Sequence, residues 1–131
     1  MNYTSIEQSK KLLELGLNPE SADMHWWIDD GNKAVFIGYN VESAKNYTDT
    51  KMDYIPCWSV GALLELMPPT IKPENREESC NMEFFKGLSG KFHFRYIGAG
   101  RPTDILNLII GTPIECAYQM VVWLLENNYI K

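Results

Sequence analysis

The sequence predicts an α+β fold, with an antiparallel sheet of about four strands and two or three helices packed on one face. Three observations lead there. Lys91-Phe92-His93-Phe94-Arg95-Tyr96 alternates basic and aromatic residues without a miss. That is the two-residue period of a strand with one oily and one polar face. Ile114, Ala117, Tyr118, Val121, Leu124 and Leu125 recur at three- and four-residue steps, the period of an amphipathic helix. Gly87-Leu88-Ser89-Gly90 and Gly98-Ala99-Gly100-Arg101-Pro102 punctuate the chain between them, as turns between short elements do.

The elements follow in order. Thr4-Ser5-Ile6-Glu7 fits a capping box, so the first helix is expected to begin near Thr4. Ile6, Leu12, Leu13 and Leu15 give it an apolar side, and Gly16 suits the left-handed residue just past its end. Asn18-Pro19 reads as a cap and first-turn proline opening a short helical turn through Ala22. Trp26-Trp27-Ile28 and Ala34-Val35-Phe36-Ile37-Gly38-Tyr39 flank the turn cluster Asp29-Asp30-Gly31-Asn32, which predicts a hairpin. The polar residues 40–53 read as a surface loop. A second helix runs from Trp58 or Ser59 through Met67, capped by Ser59 and ended by Pro68-Pro69. The polar, proline-containing stretch 70–81 has room for one edge strand. Met82 to Lys86 and Lys91 to Tyr96 are strands. The run Thr103 to Ile110 fits a helical turn or a buried strand equally. In the last helix Thr112 caps, Pro113 takes the first position, Glu115 closes a capping box, and Asn127-Asn128 ends the run.

With 131 residues, a hydrophobic fraction of 45% and a charged fraction of 22%, the chain suits a single domain, residues 1–131, that buries a core without staples. The net charge of -5 is uneven: residues 1–70 hold five Lys/Arg against ten Asp/Glu, and residues 71–131 hold seven of each. Nucleic-acid affinity comes mainly from Lys and Arg, so this balance disfavours such a partner. It is compatible with an unknown protein partner and leaves homodimerisation open. Cys57, Cys80 and Cys116 are odd in number and form no CxxC, which reads as a reducing, cytoplasmic setting. The opening residues lack the charged-then-apolar pattern of a signal peptide. The longest apolar run, Met120 to Leu125, is too short to cross a bilayer.

Two segments carry a resemblance. Ile55-Pro56-Cys57-Trp58-Ser59-Val60-Gly61-Ala62-Leu63-Leu64-Glu65-Leu66-Met67-Pro68 follows a P-x-W-S-x-G-x-L-L-E-L-x-P pattern, and Ala117 to Asn127 contains W-L-L-E-N. Both are similar to a group of small uncharacterised proteins of Bacteroides-type gut bacteria and their phages and mobile elements, and Glu7 to Leu17 fits the same group. The resemblance covers about half the chain. It implies an intracellular α+β domain and brings no activity with it. The sequence departs from the pattern at Asn128, where the group has Gly.

The candidate sites are each weighed against a structural role. Cys57 just before a helix, with His25, offers a thiol nucleophile and a base for a small cysteine-dependent hydrolase; a small buried thiol is the commoner fate. His25 and His93 lack metal-ligand spacing, so no metal or other cofactor is expected. Asp29-Asp30-Gly31-Asn32 resembles part of a calcium loop, but the sixth position is Ala34 and the twelfth Asn40, so the turn reading stands. Gly98-Ala99-Gly100 begins like a nucleotide loop but continues into Thr103 where a third glycine belongs. Lys91, His93 and Arg95, with Arg101, form a cation-capable stripe that could hold an anion or nucleic acid; a solvated sheet face explains it equally. Trp26 and Trp27 are adjacent, so a regular strand cannot turn both inward, and an exposed Trp near Tyr39, Tyr47 and Tyr54 makes a good interface anchor. The interaction surface expected from sequence is therefore Trp26, Trp27, Lys91, His93 and Arg95, on a non-enzymatic module.

Overall fold

A computed structural model describes residues 2–29, 32–37, 53–73, 79–98 and 104–130. The fold is α+β. In chain order the elements are α1 (Ile6–Glu14), a 3-10 turn (Pro19–Ser21), β1 (Met24–Asp29), β2 (Asn32–Ile37), β3 (Asp53–Cys57), α2 (Val60–Leu66), β4 (Thr70–Ile71), β5 (Cys80–Lys86), β6 (Phe92–Gly98), β7 (Asp104–Ile110) and α3 (Pro113–Glu126). A four-stranded antiparallel sheet, order β4-β5-β6-β7, carries the helices on one face, as expected. The hairpin strands do not join it. With β3 they build a second antiparallel sheet, order β2-β1-β3.

Local chemistry places the helix ends. The cap of α1 is Ser5, one residue later than Thr4. Its hydroxyl accepts from the Gln8 N–H and the Gln8 side chain accepts from the Ser5 N–H, so the capping box closes on Gln8 and not on Glu7. Thr4 is fully buried instead. The helix ends in a Schellman motif: Leu17 N–H donates to Leu12 O and Gly16 N–H to Leu13 O, with Gly16 at φ +96°, a conformation glycine adopts without a Cβ penalty. At α3, Thr112 accepts from the Glu115 N–H, but the Glu115 carboxylate turns to Gln8 and Gln119. The reciprocal half of the expected box is thereby replaced by a tie between α1 and α3. Past α3, Asn128 at φ 62° does what glycine usually does. Tyr129 N–H bonds Leu124 O, Asn128 N–H bonds Leu125 O, and the Tyr129 ring stacks on Trp123 at 5.4 Å, the apolar contact such caps favour.

β3 takes in Asp53, the last residue of the expected surface loop, and residues 54–57, for which the sequence predicts no element. Pro56 lies inside this strand, opposite His25, where it is tolerated because β3 is at the edge of its sheet. Of the ambiguous run, Asp104–Ile110 is β7, paired along β6, and Thr103 lies outside the described residues. Asp30-Gly31, Tyr39, Tyr47 and Arg101 lie outside the described residues.

One core joins the layers. Leu12 and Leu17, Trp58, Leu63 and Met67, Phe94 and Tyr96, and Ala117, Met120, Val121 and Leu124 form a single buried cluster. Helix α3 packs on β6 and β7, α2 on α3 and α1 on β3, and side chains of all three helices share one cluster with Phe94 and Tyr96, the face of β6 that the alternation of Lys91 to Tyr96 turns inward. Phe94 and Tyr96 are wholly buried, and Phe92 packs half-buried at the margin. The Tyr96 hydroxyl donates to Pro68 O at 2.7 Å, which satisfies the polar tip of a buried ring.

Candidate functional site

Cys57 occupies a closed corner. Thr4 and Ser9 share a hydroxyl–hydroxyl bond of 2.7 Å, Thr4 Oγ1 accepts from the Trp58 N–H at 3.1 Å, and the Cys57 thiol donates to Thr4 O at 3.2 Å. The Trp26 indole N–H reaches the same carbonyl at 2.9 Å. Cys57, Thr4 and Ser9 are fully buried. Burial pushes the Cys57 thiol up, against a smaller lowering by the Thr4 hydroxyl, which is opposite to what a nucleophile needs. His25 is also buried, but it cannot serve Cys57. Cys57 is directly opposite Met24, while His25 is opposite Pro56, so the two side chains leave opposite faces of the sheet. The arrangement ties the N-terminal segment to β3.

Cys57, Cys80 and Cys116 should all be slow to react. Each is buried and unbridged, so alkylation at neutral pH should proceed only as fast as the protein opens. A rate equal to that of free cysteine at any one site would refute this. The pH dependence has a definite sign. Burial raises Cys116 from the ordinary 9.0 to about 11. The unfolded chain therefore ionises first, and this contribution to stability is complete below pH 9 and lost as pH rises towards 11.

Trp26 and Trp27 leave opposite faces of β1. Both are half-buried. Trp26 is fixed by its bond to Thr4 and by an edge contact with Tyr3 at 5.7 Å. Trp27 shares its face with His25 and Tyr54, whose rings approach at 5.9 Å.

The outward face of the four-stranded sheet is the more open surface. Lys91 is exposed. Arg95 donates from Nε to Glu83 at 2.8 Å and closes an ion pair with it at 2.7 Å, so the expected cation stripe is neutralised at one of its three positions. The ring of His93 stacks on Phe85 at 4.8 Å and 8°, and the Arg95 guanidinium stands 5.4 Å from the same ring. Phe85 is 39% exposed, and Leu88, at the hairpin tip, is fully exposed. Phe85 is not among the surface residues expected from the sequence. The signal was present, because Phe84-Phe85 is a second adjacent aromatic pair and one of the two had to face outward. Phe84 turns inward to Phe94 at 5.0 Å.

Gly87 makes room for this stack. A Cβ there would lie 2.5 Å from His93 Nε2, so Gly87→Ala should push the imidazole off Phe85. The expected readout is loss of the upfield ring-current shift of the His93 ring protons; an unchanged shift would contradict the geometry.

Among the described residues, no group of three or more His, Cys, Asp or Glu could hold a metal ion, and no helix is long and apolar enough to cross a membrane. No protein-family model, curated protein or solved structure matches the chain.

Proposed function

We propose that this chain is a non-enzymatic interaction module, an accessory protein of phage or mobile-element type that works in the cytoplasm by binding another protein. The observation that carries the reading is the outer face of the β5–β6 hairpin. There an exposed Phe85 stacks on His93 beside Arg95, next to a fully exposed Leu88. Aromatic and Arg side chains held rigidly at the surface are the usual anchors of protein interfaces. The ion pair of Arg95 with Glu83 and the overall charge of -5 count against nucleic acid as the ligand. The buried Cys57, facing away from His25, counts against the hydrolase alternative.

The test is site-specific photo-crosslinking in cells that carry the gene. A crosslinking residue in place of Leu88 should give discrete protein adducts, and one in place of the exposed Lys72 should not. Equal labelling from both positions, or none from Leu88, would remove the reading.

A further inference from the structure

We infer that two copies of this chain pair through the outer edge of β7, antiparallel, about a two-fold axis at Asn107. The Phe85 surface takes no part, so this goes beyond the interaction reading and does not depend on it.

The backbone sets which groups are on offer. Gly87 N–H bonds Lys91 O, and Met82 N–H bonds Pro69 O. In β5 the odd-numbered residues therefore turn their peptide groups to β6, and the even-numbered ones turn away from it. The unbroken register between β5 and β6 passes this parity on: Phe92, Phe94 and Tyr96 bond towards β7. Their partners there are Ile110, Leu108 and Leu106, so Asn107 and Ile109 turn both N–H and C=O outward. The register shift after Tyr96 leaves Ile105 as an extra residue that no residue of β6 stands opposite. Its C=O still turns outward, because it lies across the peptide plane from the Leu106 N–H. β7 is the last strand of its sheet, and among the described residues no strand lies along this edge. It carries neither Lys nor Pro, the residues that ordinarily guard an edge.

The choice of occupant comes from the sequence of the edge. Ile105-Leu106-Asn107-Leu108-Ile109 is a palindrome. A two-fold contact sets each residue against its mirror position, so this strand meets itself like for like. Asn107 falls on the axis and exchanges a pair of hydrogen bonds with its copy. Ile109 N–H donates to Ile105 O in both directions, about four bonds in all. Leu106 stands opposite Leu108 on either side of the axis, in the close non-hydrogen-bonded pairs. Asn107, the one polar residue of the five, meets its own amide, a group that both donates and accepts. Asp104, the only charged residue of β7, stands opposite Ile110, so no like charges meet. The axis is perpendicular to the sheet, and both copies keep their helices on the same side. α3 packs on β6 and β7. With strands about 4.8 Å apart, the two copies of α3 run about 10 Å apart, the spacing of packed helices.

Three measurements test this on the full chain. Light scattering should show a mass rising with concentration towards twice the 15.1 kDa of one chain. Asn107→Pro removes only an outward N–H, so it should weaken the dimer about tenfold or more while the far-ultraviolet circular dichroism stays native. Asn107→Asp sets two carboxylates opposite each other on the axis and should weaken it about fivefold. Within its own chain that acid stands opposite Arg95, so the second variant decides the matter if the proline variant fails to fold. Asn107→Cys should form a disulfide-linked dimer under mild oxidation, because the paired Cα atoms lie about 5.5 Å apart, within disulfide range. Leu88→Cys is the control: it is fully exposed but stands roughly 30 Å from its copy in this arrangement. The three native thiols are buried and add no background. A chain monomeric at its highest soluble concentration overturns the proposal. So does a dimer indifferent to Asn107→Asp, or Asn107→Cys crosslinking no faster than Leu88→Cys. A monomer that still gives discrete Leu88 adducts with other proteins overturns the pairing alone and leaves the interaction reading standing; a dimer without such adducts does the reverse.

Discussion

Replacing Phe94 by alanine is expected to lower the free energy of unfolding by about 3–5 kcal/mol. Phe94 is wholly buried at the centre of β6, between the Phe84 ring at 5.0 Å and the helical core. Its removal loses the transfer energy of the ring and an aromatic pair, and leaves a cavity lined by rigid strand and helix neighbours that collapse poorly. Domains of this size are stable by about 5–15 kcal/mol, so the variant should sit near the edge of folding. Urea denaturation measures the effect directly. Phe85→Ala, one residue along β5 from Phe84, should change stability by about 0.5 kcal/mol or less, because that ring is on the solvent side. The contrast is the test: comparable losses at Phe94 and Phe85 would show that the two faces of the sheet have been assigned the wrong way round.

That assignment was legible in the sequence because β6 is the one strand with unbroken alternation, and the register between strands carries its faces to β5. The helices were legible for a related reason: their caps are local. Ser59, Thr112 and Gly16 act within a few residues of where they stand. The cap of α1 shifted from Thr4 to Ser5 because two adjacent hydroxyl residues compete for the position, and a tertiary demand decided it. Thr4 is required inside, against Ser9, Cys57 and the Trp58 N–H, and no local pattern records that. β3 was hidden by Pro56, which reads as a strand breaker unless its edge position is known. β7 was ambiguous because Ile105, Leu106, Leu108, Ile109 and Ile110 satisfy a buried strand and a helical turn alike. What settles it is pairing with β6, a long-range fact.

The candidate surface was half legible. The stripe Lys91, His93, Arg95 could be read from one strand. Its electrostatic meaning could not, because the residue that neutralises Arg95 is Glu83 on the neighbouring strand, twelve positions away in sequence. The ring that stacks on His93 comes from the same strand. The split into two sheets was not legible either. It depends on β1 choosing β3 as its second neighbour, and residues 38–52 separate β3 from the hairpin in sequence.

The join between those sheets gives the second large effect. Trp58 is the residue between β3 and α2. It is fully buried within the common core, and its indole N–H donates to Ser21 Oγ at 2.9 Å. Its backbone is held on both sides of the peptide, since Thr4 N–H donates to Trp58 O at 2.9 Å and Thr4 Oγ1 accepts from the Trp58 N–H. Trp58→Ala should therefore cost about 3–5 kcal/mol, mostly as cavity. The hydrogen bond is the smaller part: Ser21→Ala, which removes that acceptor together with the exposed bond of the same hydroxyl to Asn18 O, should cost about 0.5–1.5 kcal/mol. The location of the cavity makes a further demand. Trp58 directly follows β3 and anchors that end of the strand in the cluster it shares with Leu12, Leu63 and Met67. Its loss should leave the four-stranded sheet and α3 better protected in amide hydrogen exchange than β1 and β3. A uniform loss of protection across both sheets would mean that they unfold as one unit and that Trp58 is an ordinary core residue rather than the link between them.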